Sequence, residues 1–146
     1  VSDSHLREIL DKVKRPCIRY TEATEENVTQ ADCLIIDCYG LLSSIYRYGE
    51  ISYIGGGFGV GIHNVLEAAV YGIPVIFGPN NKKFREAQHL LEQKGGFEVT
   101  GYDDFKRLMD KFLSDEAYLQ QAGKAAGNYV NHNAGALEKI MKDITL

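Results

Sequence analysis

The 146-residue sequence predicts an α/β fold of the doubly wound class, a parallel sheet with flanking helices followed by a helical C-terminal tail. Three observations predict it. Five brief runs of aliphatic, β-branched or aromatic residues are each bounded by Gly, Asp or Pro. The segments between them repeat apolar residues at helical spacing, and beyond the last run the pattern stays helical. Strands that are apolar throughout, rather than alternating, need cover on both faces, and crossover helices on a parallel sheet supply it.

In chain order, "VSDSHLREIL" reads as the first turns of a helix, with Ser2 or Ser4 as cap and Leu6, Ile9 and Leu10 as its apolar stripe. The strand runs are "CIRY" (17–20), "CLIID" (33–37), "ISYIG" (51–55), "PVIF" (74–77) and "FEVT" (97–100). Crossover helices are predicted over 40–48 (Leu41, Leu42, Ile45, Tyr48), 64–71 (Val65, Leu66, Ala69, Val70) and 82–94 (Phe84, Ala87, Leu90, Leu91). The tail opens at an Asp cap, Asp103 or Asp104, and again at Ser114 before Asp115 and Glu116. No repeat, low-complexity segment or Pro/Ser-rich linker divides the chain, so one domain spanning 1–146 is expected.

Composition narrows the function classes. With 45% apolar and 25% charged residues the sequence is that of an ordinary globular protein. No apolar run approaches the ~18 residues of a membrane span, no secretion leader is visible, and the chain itself is expected to be soluble. It begins without Met inside a helical pattern, as a piece of a longer protein would. The net charge of −4, with no Lys/Arg cluster, argues against a nucleic-acid partner. Cys17, Cys33 and Cys38 are odd in number, without paired CxxC spacing, and read as buried reduced thiols. His5, His63, His89 and His132 are scattered without ligand-like spacing, so neither a metal nor a cofactor is expected.

The densest chemical signal runs from Gly55 to Glu67. Ligands of open α/β sheets bind at the carboxyl ends of the strands, where the first amides of the next helix are unpaired. Gly55, Gly56 and Gly57 end a strand, Gly59 and Gly61 keep the loop bare, and a helix starting near Asn64 presents its positive end, a place for an anion such as phosphate. His63, Asn64 and Glu67 are three and four residues apart, so they converge on the first turn. A carboxylate beside an anion needs another task, such as accepting hydrogen bonds from ribose hydroxyls. The bland alternative is a glycine turn that allows close helix-strand packing, with His63 as a cap and Glu67 favouring the helix dipole. Two more strand ends point to the same crevice: Asp37 and Gly40 after the second run, and Gly78, Pro79, Asn80 and Asn81 after the fourth. Asp37 is either a ligand acceptor or the cap of the following helix.

In order and spacing, "D-C-Y-G-L-L" from Asp37, "Y-I-G-G-G" with "G-I-H-N-V-L-E-A-A", and "G-I-P-V-I-F-G-P" with Phe84 and Arg85 resemble one family. It is the 3-deoxy-D-manno-octulosonic acid (Kdo) transferases of bacterial lipopolysaccharide synthesis, glycosyltransferases of the GT-B fold, in their C-terminal, Rossmann-like, nucleotide-sugar-binding half. "N-A-G-A" over 133–136 is similar to the family's closing N-R-G-A. Leu41, Ile62, Ala68, Lys83 and Ala134 depart from the Glu, Gly, Pro, Asn and Arg usual there.

The resemblance implies that the donor is CMP-Kdo. Gly56, Gly57 and the amides of His63 and Asn64 would lie by its phosphate, Glu67 would hold its ribose, and Asp37, Gly40, Gly61, Gly78 and Pro79 would line the crevice. It implies transfer to a lipid A precursor at the cytoplasmic face of the inner membrane. The acceptor site, the general base and the membrane-associating surface would sit in an N-terminal domain outside this chain, so the chain alone is expected to be inactive, and copies of it could associate. Other readings stay open at this point: another GT-B enzyme acting on a UDP-sugar, a dinucleotide-binding oxidoreductase, or a non-catalytic scaffold. The oxidoreductase is disfavoured because no acidic residue ends a strand about 20 residues after the glycines.

Overall fold

The short strand runs and the helical segments between them determine the element order found in the computed structural model. The structure describes residues 3–144, with the side chains of 4 and 6–133; Ser2 and the side chains of the 134–136 motif therefore lie outside the described set. All strands are parallel, as the apolar runs require, and each spans three residues. They form two sheets, one in each of two compact units, 1–45 and 46–146, instead of one continuous sheet.

In the first unit α1 (Asp3–Lys12) is followed by β1 (Cys17–Arg19), two short 3-10 turns and β2 (Cys33–Ile35). β1 pairs with β2 in the register Cys17 to Cys33 and Arg19 to Ile35. Of the predicted α1 stripe only Leu6 is buried; Ile9 and Leu10 are exposed. The helix predicted over 40–48 is reduced to the single turn α2 (Leu42–Ile45) here and a 3-10 turn, Tyr46–Tyr48, in the second unit. Leu42 is exposed, and so is Tyr48. With those positions facing water, little burial holds a longer helix together.

The second unit carries β3 (Ser52–Ile54), α3 (Leu66–Ala69), β4 (Val75–Phe77), α4 (Arg85–Glu92), β5 (Gly96–Glu98), α5 (Tyr102–Ser114) and α6 (Glu116–Ile144). The sheet order is β3-β4-β5, so β4 is central and all three of its side chains are fully buried. Val75 and Phe77 face one core with Ile54, Ile62, Val65, Ala69, Leu90 and Tyr129. Ile76 faces the other with Val99, Phe112 and Ala122 beneath α5 and α6. Burying each such side chain is worth about 1.5–3 kcal/mol, which is why a three-residue strand persists when packed on both faces.

The tail is helical as expected, but its caps differ. Asp104 reaches back to the Thr100 amide (3.0 Å) and hydroxyl, while Gly101 occupies the cap position of α5. Asp115, not Ser114, caps α6, accepting the Tyr118 amide at 3.1 Å. Ser114 is the last residue of α5, its hydroxyl donating to Lys111 O, so it is not free to open the next helix.

Candidate functional site

β3 ends at Ile54, and the glycines after it fold the chain back on itself. Gly56 takes φ +91° and Gly61 φ +144°, conformations that side-chain-bearing residues rarely adopt. The Gly56 carbonyl accepts the N–H groups of Gly59 (3.0 Å) and Gly61 (3.1 Å), and the Gly55 carbonyl accepts the His63 N–H (3.0 Å). The expectation of a free His63 amide is thereby corrected: that donor is spent closing the loop. Among the described residues, no hydrogen bond takes up the N–H of Gly56, Gly57 or Asn64.

The loop after β4 is stitched to this one. The Asn80 N–H donates to Gly57 O at 2.8 Å and its side-chain amide to Gly59 O at 2.6 Å. Gly57 and Gly78 are buried against each other; a Cβ on Gly57 would stand 2.5 Å from the Gly78 Cα. Asn81, fully buried, ties the arrangement down. Its amide donates to Gly78 O (2.9 Å) and Glu98 Oε1 (2.7 Å), and Gln88 Nε2 donates to its side-chain oxygen (2.7 Å) and its backbone carbonyl (2.8 Å). Glu98 also accepts from Lys82 Nζ at 2.8 Å; that hydrogen bond, and then Asn81, hold its carboxyl below the usual value. Pro79 follows Gly78, half-buried.

α3 begins at Leu66, not near Asn64, and has four residues. Gly61 has to turn and Ile62 has to enter the core before the chain can wind, which delays the helix. A single turn carries little macrodipole, so the positive pole expected at Asn64 is weak. Just before the helix, the Asn64 side-chain oxygen accepts the Leu66 N–H at 2.8 Å, while Val65 holds the cap position. The Ile62 departure from the family pattern has a structural use, since the side chain plugs the core at 5% exposure.

In front of this turn lies a cavity of about 310 Å³ lined by Ile62, His63, Asn64, Val65, Leu66, Phe84 and Glu86. His63 and Asn64 both line it, and Phe84 is packed beneath Gly61. Glu67 is not among the lining residues. It is half-buried on α3 near Tyr46, whose hydroxyl is shifted up by burial and then by the Glu67 charge. Glu86, in the first turn of α4, is the carboxylate that faces the cavity. Sequence reasoning missed it; the available signal was its place two residues after the Phe84 of the motif. A second, apolar cavity of about 280 Å³ is lined by Tyr53, Phe58, Val99, Gly101, Tyr102 and Phe105, and was not foreseen either.

In the first unit, Asp37 is enclosed, its side chain 1% exposed. Its oxygens accept the Thr21 hydroxyl (2.6 Å), the Thr21 N–H (3.0 Å) and Arg19 Nε (2.9 Å). These bonds, the Thr21 hydroxyl foremost, lower its pKa to about 2. Asp37 therefore reaches back to the end of β1 and does not cap the helix that follows. Gly40 turns at φ +87° with open space around its Cα. Among the described residues no group of three His, Cys, Asp or Glu side chains is placed to hold a metal, and no helix is long and apolar enough to cross a membrane.

No protein-family model matches the chain. The sequence is 37% identical over 87 residues, 58% of the chain, to a 3-deoxy-D-manno-octulosonic acid transferase of Aquifex aeolicus, and covers 25% of that protein. The transferase of Rickettsia felis is 28% identical over 149 residues, covering 96% of this chain and 31% of the relative. That of Chlamydia muridarum is 29% identical over 117 residues, covering 74% and 27%. The resemblance read from the motifs thus extends over the chain, which spans a quarter to a third of the length of these relatives. Among solved structures the fold is similar to the C-terminal CMP-Kdo binding domain of WaaA from Acinetobacter baumannii, with a TM-score of 0.66, 18% identity, and coverage of 87% of this chain and 67% of that one. The α/β, Rossmann-like class expected from the sequence is the fold observed.

Proposed function

We propose that this chain, which shares its motifs with the Kdo transferases, is the donor-binding part of such an enzyme. It holds CMP-Kdo while Kdo is passed to a lipid A precursor at the cytoplasmic face of the bacterial inner membrane. The observation that supports this reading is the glycine loop at the end of β3, where no hydrogen bond among the described residues takes up the N–H groups of Gly56, Gly57 and Asn64, set inside motifs that resemble those of the transferases.

The chemistry suits that loop. When the bond from the Kdo anomeric carbon to the phosphate breaks, the sugar takes on oxocarbenium character and negative charge grows on the departing CMP. Amides fixed beforehand stabilise charge where it develops, and removing one such donor costs about 3–4 kcal/mol of barrier. In this proposal the phosphate rests at Gly56, Gly57 and the His63–Asn64 turn, while Gly61, Gly78 and Pro79 shape the floor. Glu67 takes the ribose hydroxyls. The general base, the acceptor site and the membrane contact belong to the remainder of a longer protein. Calorimetric titration of CMP, with UDP as the control, tests the reading. CMP should bind and UDP should bind less tightly, and Glu67→Ala should weaken CMP; equal affinity for the two nucleotides, or no CMP binding, overturns it.

A further inference from the structure

A pair of thiols stands outside everything described so far. Cys17 in β1 and Cys33 in β2 are register partners in a parallel ladder, so both side chains leave the same face of the two-stranded sheet directly beside one another. Adjacent strands run about 4.7–4.9 Å apart, inside the roughly 4.4–6.8 Å Cα separation that a disulfide spans. Both cysteines are free and half-buried, so a small oxidant can reach them. The Cys17 thiol donates a hydrogen bond to Arg15 O at 3.2 Å and interacts with the Cys33 thiol beside it. Cys38 lies beyond the end of β2 and has no partner in β1, because the register stops at Arg19 and Ile35.

We propose that Cys17 and Cys33 are a site of covalent oxidation that closes to an intrachain disulfide and staples β1 to β2. The oxidant is a low-molecular-weight disulfide of the glutathione type. One cysteine thiolate attacks a sulfur of the oxidant and expels one glutathione thiolate, giving a mixed disulfide. The second cysteine gives up its proton and attacks the protein sulfur of that mixed disulfide, expelling the second glutathione. Two protein thiols are oxidised, one small disulfide is reduced to two thiols, and no other reactant is needed. Burial, and then the adjacent Cys33, pushes the Cys17 thiol above its ordinary value. A raised thiol is less often a thiolate at neutral pH, so closure is slow.

The test is to equilibrate the chain in mixtures of reduced and oxidised glutathione, then alkylate, weigh the intact chain and map the linked peptides. The expected result is a loss of two hydrogens' mass, a fall in alkylatable thiols from three to one, and a single link joining Cys17 to Cys33. Cys38→Ser should close as readily as the wild type, whereas Cys33→Ser should stop at glutathione adducts. Because the folded register holds the pair together, closure should be about tenfold or more favourable in native buffer than in concentrated urea. Three thiols still alkylatable, a bridge through Cys38, links between chains, or the same equilibrium in urea would each overturn the proposal.

Discussion

Gly57 and Gly78 touch backbone to backbone: a Cβ placed on Gly57 would lie 2.5 Å from both the Cα and the N of Gly78, and one on Gly78 would lie 2.7 Å from the Gly57 carbonyl carbon. Two strand-end loops therefore meet backbone to backbone at this point, with the Phe58 ring also against Gly78. Neither atom facing Gly57 is a flexible side-chain tip that can swing away. Gly57→Ala is expected to destabilise the second unit by about 1–3 kcal/mol, the usual cost of overpacking. Gly59→Ala, whose new methyl meets only Gly56 O at 3.8 Å, should stay within about 0.5 kcal/mol. Urea unfolding of both variants checks the contrast, and equal stabilities would show that the loops do not meet in this way.

Asn81 joins three elements: the loop carbonyl of Gly78, Glu98 at the end of β5, and Gln88 on α4. Asn81→Leu keeps most of the volume but strands these polar groups, at a cost of about 1–3 kcal/mol. If denaturant titration gave an unchanged midpoint, the buried network would not be what fixes the loop after β4.

For Asp37 the pH dependence has a definite sign. Its folded pKa, about 2, lies below the ordinary 3.8, so the bonds to Thr21 and Arg19 stabilise the fold above 3.8 and that contribution is lost as pH falls through about 2. Acid titration followed through the amide resonances of Cys17 to Arg19 should show these residues loosening across that window. Asp37→Asn should be weaker at neutral pH and flatter in acid. An identical acid profile for the two proteins would disprove the role of the carboxylate.

At the cavity, Glu86 places a negative charge opposite the Asn64 turn. If the donor phosphate sits there, Glu86→Gln removes a repulsion between groups separated by several ångströms of partly aqueous space, worth at most about 1 kcal/mol. CMP affinity should rise roughly two- to fivefold, while stability, for this exposed side chain, stays within about 0.5 kcal/mol. A fall in affinity would instead make Glu86 an acceptor for ligand hydroxyls.

What the sequence determined by itself was whatever depends on short-range pattern. The central strand is visible in "PVIF" because both of its faces had to be apolar, and the helical tail in its periodicity. The motif order from Asp37 to Phe84 carried the family resemblance without any coordinates. Tertiary structure decided what depends on contacts between distant segments. Whether 40–48 winds into a full helix turned on burial that Leu42 and Tyr48 do not obtain. Whether the His63 N–H is spent within the loop turned on the Gly55 carbonyl, and which carboxylate faces the cavity turned on the late start of α3 and the placement of α4. A residue type and its spacing state what a side chain can do. Only packing across the sheet determines which of its hydrogen-bonding atoms are already used, because those partners are distant in sequence.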